Sequence, residues 1–282
     1  MPKLDATAKL STPLGKILLT GAAGGLGQVL RHSLQPFANS LRLSDITPMT
    51  SAAAHEEIVQ CNLADKAAVD AAVAGVDAIV HMGGVSTERP FEEILEANIK
   101  GVFHIYEAAR RHGVRRVVFA SSNHVVGFHK QSDFLETDCA RRPDGYYGLS
   151  KAYGEDLSRF YFDRYGIESA CLRIGSSFPE PADRRMLVTW LSYRDLTELV
   201  RCCLFAPALG HTIVYGASNN RDPWWSNAGA AHLGFVPQDN TEPFRAKAES
   251  VAPLAADDPV RVYQGGSFVV RGPFETLPAV SP

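Results

Sequence analysis

The run KILLTG (16–21) is apolar almost throughout, ends in glycine, and passes directly into AAGGLGQVL. Nothing else in the chain restricts its fold as much. A short strand with no polar face must be covered on both sides, which is the position of a strand inside a parallel sheet. The next segment, LGQVLRHSLQPF, has helical periodicity, and Gly21, Gly24 and Gly27 stand between strand and helix. Glycine is needed there if the turn takes positive φ, if backbone must approach a pyrophosphate, and if the helix must pack close on the strand. A helix N-terminus at that point presents free N–H groups and partial positive charge to phosphate.

The same rhythm continues down the chain. NSLRLSD (39–45), EEIVQCNLAD (56–65), VDAIVHMGG (76–84), VRRVVFASS (114–122) and IESACLRIG (167–175) read as further strands. Between them KAAVDAAVAG, the segment 91–113 and the segment 146–166 read as helices, the second of these stopped by Gly113. Strands alternating with helices imply right-handed crossovers, hence an α/β chain with a Rossmann-type, doubly wound parallel sheet. We expect a flexible leader over 1–14, a dinucleotide-binding domain over 15–180, and a small substrate-binding lobe over 181–282 packed on it. Within that lobe SYRDLTELVRCCLFAP reads as a helix and HTIVYGAS as a strand, and the Pro-containing tail reads as loosely ordered.

Composition narrows the functional classes. With 282 residues the chain can bury a large core, and 45% hydrophobic and 21% charged residues are globular values. A net charge of −3 gives no electrostatic case for nucleic acid or an anionic membrane as partner. No segment reads as a signal peptide or a bilayer span. Five cysteines without a CxxC point to reduced thiols and a cytoplasmic location. Nine histidines show no metal-ligand spacing, so no metal is expected.

In such a sheet ligands bind beyond the carboxyl ends of the strands, and the polar clusters of this sequence fall there. Gly21, Gly24, Gly25, Leu26 and Gly27 form the glycine turn. Asp45 closes the second strand, where a carboxylate accepts from ribose hydroxyls and repels a 2′-phosphate. No arginine follows in DITPM to neutralise that phosphate, so NAD is favoured over NADP. The bland alternative is a turn aspartate. Asn62 and Leu63 end the third strand, and Met82, Gly83 and Gly84 follow the fourth. At the other end, Tyr147 and Lys151 share a helix face at i, i+4 spacing, with Ser122 at the end of the fifth strand and Asn98 in the long helix. In isolation such a Tyr-Lys pair is an ordinary solvated one. Here it has a chemical use. A lysine cation about 4–5 Å from a phenolate contributes about 3–4 kcal/mol at an effective dielectric of about 20. That lowers the phenol from its usual pKa of about 10 toward the range of a general base. Tyr146 has no lysine four residues on and reads as a packing or rim residue.

The combination of GxxGxxG, an acidic strand end, Asn, Ser and YxxxK resembles the extended short-chain dehydrogenase/reductase superfamily over about residues 15–180. HMGGVSTERPFEEILEANIKG, FASSNHVVG, RPDGYYGLSK, LRIGSSFPEP, RRML and YGASNN…WW together look like the uronate dehydrogenase family within it. That resemblance implies NAD-dependent oxidation of a hexuronic acid, glucuronate or galacturonate, at C1 to an aldarolactone. It implies Tyr147 as general base, Ser122 on the substrate oxygen, Lys151 also on the nicotinamide ribose, and Asn98 behind the lysine. Ser86, Ser122, Asn123, His124, Tyr147, Ser176 and Arg185 would line the sugar pocket, with Arg184 a competitor for the substrate carboxylate. An arginine fork suits a carboxylate, and Ser, Asn and His suit hydroxyls. Ser86 and Ser176 are equally readable as turn serines, and His124 as a loop histidine. Asn62 stands where the superfamily has aspartate, and Gly25 where some relatives carry a larger polar residue. The family also implies a homo-oligomer formed through its long helices. A nucleotide-sugar epimerase or dehydratase of the same superfamily, and a non-catalytic NAD(H)-sensing regulator, are the competing readings; the first usually has a larger C-terminal domain and the second lacks the Tyr-Lys pair.

Overall fold

Strands apolar on both faces dictate the architecture of this computed structural model, which describes residues 12–50, 52–272 and 274. β1 (Leu14–Thr20), β2 (Ala38–Asp45), β3 (Glu56–Gln60), β4 (Ala78–His81), β5 (Arg116–Ser122), β6 (Glu168–Ile174) and β7 (His211–Gly216) form one sheet in the order β3-β2-β1-β4-β5-β6-β7. Every pairing is parallel. The helices flanking it are α1 (Gly25–Ser33), α2 (Lys66–Val73), α3 (Phe91–Ile94), α4 (Gly101–His112), α5 (Tyr146–Tyr165), α6 (Met186–Thr189) and α7 (Tyr193–Phe205). Side chains alternate along each strand. Ile17 and Leu19 pack with Leu30 of α1 and Leu196 and Leu199 of α7; Leu18 packs with Val69 of α2, Ile105 of α4 and Tyr161 of α5. Each fully buried Leu or Ile of β1 contributes about 1.5–3 kcal/mol, which makes the double-faced strand the centre of the core.

β1 has β2 on one side and β4 on the other. The chain winds outward in both directions from that point, so the loops after β1 and β4 part and leave a crevice at their carboxyl ends. β7 and α7 come from the segment after residue 180 and join the same sheet and the same core.

The structure departs from the sequence pattern in three places. β3 stops at Gln60 because Asn62 folds into a turn, its Oδ1 accepting from Ala64 N at 3.0 Å, and Asp65 then caps α2. β4 stops at His81, leaving the Met-Gly-Gly run as loop. The helix expected over 91–113 is interrupted by a π-helical stretch, Leu95–Lys100, before α4 continues to Gly113 at φ 71. The wider turn faces Asn98 inward, which the local pattern of apolar residues did not reveal. Leu14 opens β1, whereas residues 1–11 of the expected leader, and 273 and 275–282 of the tail, lie outside the described residues.

Residues 259–272 return to the crevice. Gln131 N donates to Val262 O (2.8 Å), Gln264 N to His129 O (2.9 Å) and Gly265 N to Gly127 O (2.9 Å). The Gln264 side chain, 0% exposed, accepts from Trp225 Nε1 at 2.8 Å and donates to the carbonyls of Lys130 and Asp133, both at 3.0 Å. That glutamine pins the segment as a roof over the strand ends.

Candidate active site

A cavity of about 1470 Å³ opens at the carboxyl ends of the strands. All but two of the candidate site residues named from the sequence line it; Asn98 and Asn123 do not. At one end is the glycine turn. Gly21 takes φ +68, and a Cβ there would stand 2.7 Å from Gly83 N. A Cβ on Gly27 would stand 1.9 Å from Gly21 O, so α1 packs on the turn only because that side chain is missing. No side chain caps α1 at Gly24, and the space beside Gly25 is open. This end therefore offers uncapped N–H groups at a helix N-terminus, a cradle shaped for phosphate. Asp45 lines the cavity while accepting from Ala23 N (3.0 Å) and Thr47 N (2.9 Å). The turn role and the cavity-facing role coexist in one carboxylate.

At the other end, α5 carries Tyr147 and Lys151, and two carboxylates fix it, one from a distant loop and one of its own. Glu88, buried in the loop before α3, accepts from the first N–H groups of the helix, Tyr146 N at 2.8 Å and Tyr147 N at 2.9 Å. A side chain on Gly145 would collide with it. Glu155, 0% exposed, accepts from Ser121 Oγ (2.7 Å), from Arg173 Nε and Nη2 (both 2.9 Å) and from Arg141 Nε (3.1 Å), which ties α5 to β5 and β6. On the face so positioned, the Lys151 ammonium lies 5.6 Å from the Tyr147 ring centre and 5.1 Å from that of Phe119. Lys151 forms no ion pair among the described residues.

The sequence led us to expect a phenol lowered toward neutrality. Instead burial pushes Tyr147 up to about 12, with a hydrogen bond to Ser122 pulling down and Asp144 pushing up. Burial also pulls Lys151 down to about 8. Desolvation opposes both charged forms, and it outweighs the rest in the protein alone. Asn98 acts on the scaffold: its Oδ1 accepts from Val85 N (2.8 Å), and its Nδ2 donates to Val85 O and Ser150 Oγ, both 3.0 Å. Ser150 Oγ in turn donates to Tyr147 O at 2.7 Å. His81, stacked on Phe119 and 2.7 Å from Thr20 Oγ1, is a packed strand residue.

The remaining polar residues surround the phenol. Ser122 Oγ accepts from His124 N at 3.2 Å. His124 stacks on Phe268 and places Nδ1 2.6 Å from Asp144 Oδ2. Arg185 donates from Nε to Gln264 O (2.7 Å) and from Nη1 to Ser176 Oγ (3.3 Å). Asn123, 1% exposed, has its amide oriented to donate to Ile174 O (3.2 Å) and accept from Arg185 Nη2 (2.7 Å). Arg185 thus meets only neutral acceptors and forms no ion pair among the described residues. Burial lowers its pKa from the usual arginine value, and Asp183 and Asp144 offset part of that. Arg184, exposed at the rim, spends its guanidinium on the carbonyls of Glu249 and Val251. Ser86 lines the cavity wall. Sequence inspection passed over Glu88, Asp144, Gln264 and Phe268. The one visible trace of the two carboxylates is the set of glycines at 127, 145 and 265, the first and last of which make room for Asp144 and the second for Glu88.

The model of the NAD dependent epimerase/dehydratase family matches residues 17–192. Uronate dehydrogenase of Pseudomonas putida is 63% identical over 94% of this chain and 99% of its own. A mutant of uronate dehydrogenase from Agrobacterium tumefaciens, solved in complex with NAD, has a TM-score of 0.90 at 49% identity, covering 93% of this chain and 99% of that one. Glucuronic acid dehydrogenase from Chromohalobacter salexigens gives 0.90 at 50%, with 92% and 98% covered. The chain therefore belongs to the NAD dependent epimerase/dehydratase family and, within it, to the uronate dehydrogenases.

Proposed function

We propose that this protein oxidises a hexuronic acid at C1 with NAD, releasing the aldarolactone. The observation that carries the reading is Arg185, a half-buried cation that forms no ion pair among the described residues, in the same cavity as Tyr147 and Ser122. A substrate carboxylate supplies the missing counter-ion, and charge-assisted bonds to it are worth about 1.5–3 kcal/mol each. Asn123 and Ser176 hold the guanidinium fork in place for that contact, which assigns the carboxylate to Arg185 in preference to Arg184. The near full-length similarity to uronate dehydrogenases supports a free sugar acid over a nucleotide sugar.

The glycine turn fits NAD by its uncapped helix N-terminus and the close backbone approaches at Gly21 and Gly27. Gly21, Gly24, Gly25, Leu26 and Gly27 would hold the pyrophosphate; Asp45, Asn62 and Leu63 the adenosine; Met82, Gly83 and Gly84 the backbone side of the ribose; and Lys151 the nicotinamide ribose. Bound NAD supplies a cationic ring that takes the hydrogen of C1 with its electron pair. Tyr147, as the phenolate, takes the proton of the anomeric hydroxyl, Ser122 holds that oxygen by hydrogen bonding, and Lys151 stabilises the phenolate before it accepts that proton. Ser86 and His124 meet ring hydroxyls. Oxidising a cyclic hemiacetal at its anomeric carbon yields a lactone directly.

The exposed aromatic face of α4 and α5, with Phe103, Phe160 and Tyr165, supports association between copies. The five free cysteines support a reducing, cytoplasmic setting. Incubation with NAD and glucuronate or galacturonate, followed by absorbance of the reduced nicotinamide and NMR of the product, tests the reading. It predicts cofactor reduction and lactone; isomerised sugar without net reduction would replace it with the epimerase reading.

A further inference from the structure

Asp144 lies in the loop that enters α5, with its side chain 0% exposed. Its Oδ2 is 2.6 Å from His124 Nδ1, while Oδ1 has no hydrogen-bond partner. A buried carboxylate with one oxygen unpaired is costly to the fold. The chain nevertheless makes room for it on two sides. A Cβ on Gly127 or Gly265 would stand 1.9 Å from Oδ2. Two segments far apart in sequence leave out a side chain at the same carboxylate.

The imidazole it holds has little freedom. Phe268 stacks on His124 with ring centres 3.8 Å apart, and Tyr147 meets it edge-on at 5.7 Å. Burial lowers the His124 pKa, Asp144 opposing and Arg185 and Arg271 adding to the effect, which favours the neutral ring. A carboxylate only accepts, so the single proton of a neutral ring sits on Nδ1. Nε2 has no hydrogen bond among the described residues and is not among the sealed, unpaired atoms, and the residue lines the cavity. Its lone pair is offered to whatever occupies that space.

We propose that Asp144 is a positioning residue that fixes His124 as a hydrogen-bond acceptor, and that this lone pair selects one ring hydroxyl of the substrate as its donor. The identity of the donor rests on the hexuronate reading; the tautomer does not. A site built around a hydroxyl rejects the analogue lacking it, because the buried partner is left unpaired.

Two measurements test this. In wild-type protein labelled with ¹⁵N-histidine, the His124 signals, assigned by their loss in His124→Gln, should show Nδ1 protonated and Nε2 bare at neutral pH. In Asp144→Asn, whose amide can donate to Nδ1, the Nε2–H form should appear. Kinetics on hexuronic acids deoxygenated one position at a time supply the second readout. Wild type should lose about 10–100-fold in kcat/KM on one analogue beyond its losses on the others. Asp144→Asn should raise KM for the parent sugar acid by a similar factor, change kcat by less than about threefold, and shrink the penalty on that analogue alone. An aspartate with a merely structural role would depress all substrates alike and leave the penalty intact. Should Asp144→Asn not fold, the wild-type spectrum and the loss of the single-hydroxyl penalty in His124→Gln decide. A proton on wild-type Nε2, a full penalty retained in Asp144→Asn, or a full penalty retained in His124→Gln overturns the proposal. A wild type that oxidises no hexuronate refutes the substrate reading and leaves the tautomer result standing.

Discussion

Replacing Lys151 by methionine isolates what its charge does for the phenol. Burial lifts Tyr147 to about 12, about two units above a free tyrosine, so forming the phenolate costs about 2.7 kcal/mol more than in water. The ammonium, 5.6 Å from the ring centre, returns about 3 kcal/mol at an effective dielectric of about 20. The two effects nearly cancel, so neither can be ignored. Burial lowers Lys151 to about 8, so the ammonium is charged below that pH and neutral above it, and below it the charge is present to favour the phenolate. In Lys151→Met, measured at saturating NAD, the rising limb of log kcat/KM against pH should move upward by at least about two units, with about 100-fold lower activity on the slope. Methionine fills the same buried space, so the fold is retained. A rising limb left in place would refute the pairing of these two groups.

Arg185→Ala should lower kcat/KM for hexuronates by about 30-fold or more, about 2 kcal/mol, by removing one partner of a buried charge pair. The same assay on the neutral parent hexoses should show little change, and an equal loss on both sugars would remove the carboxylate from Arg185. Asp45→Ala takes away the charge that repels a 2′-phosphate, so the NADP-to-NAD ratio of kcat/KM should rise by about tenfold; both cofactors should weaken, because Asp45 also holds Ala23 N. Arg173→Met leaves the sealed Glu155 carboxylate with only the partly exposed Arg141 as cation. Urea unfolding should register a loss of about 3–5 kcal/mol, most of it recovered when Glu155 is replaced by methionine as well.

The central strands and their order of appearance were legible because each is a short apolar run between a helix and a turn. Leu18, Ile79, Val117 and Cys171 on one face, and Leu19, Val80, Val118 and Leu172 on the other, are all buried, so local sequence alone betrays these strands. The glycine turn and the Tyr147–Lys151 pair were legible because their spacing is itself the chemistry. Asp144 and Glu88 were not, since each owes its role to a partner 20 or more residues away: His124 for the first, the N–H groups of α5 for the second. In RPDG an aspartate before glycine signals a turn and nothing more. The roof over 259–272 carries no periodicity because it is built from two short turns of helix, Pro259–Val262 and Gly266–Val270, joined by a stretch whose backbone N–H groups bond to loop carbonyls. The π-helical stretch escaped detection for a related reason: apolar spacing reports which face is buried, whereas Asn98 is a polar residue turned inward to hold Val85 and Ser150.

Removing one oxygen atom tests the central claim most directly. Tyr147→Phe keeps the ring that packs against His124 and Phe268 but has no proton to exchange. With glucuronate and NAD, hexuronate oxidation should fall by about 10²–10⁴-fold, while NAD affinity, followed by titration calorimetry, stays within about threefold of wild type. Turnover at the wild-type rate in that variant, with the cofactor bound as before, would contradict the assignment of the phenol as the base.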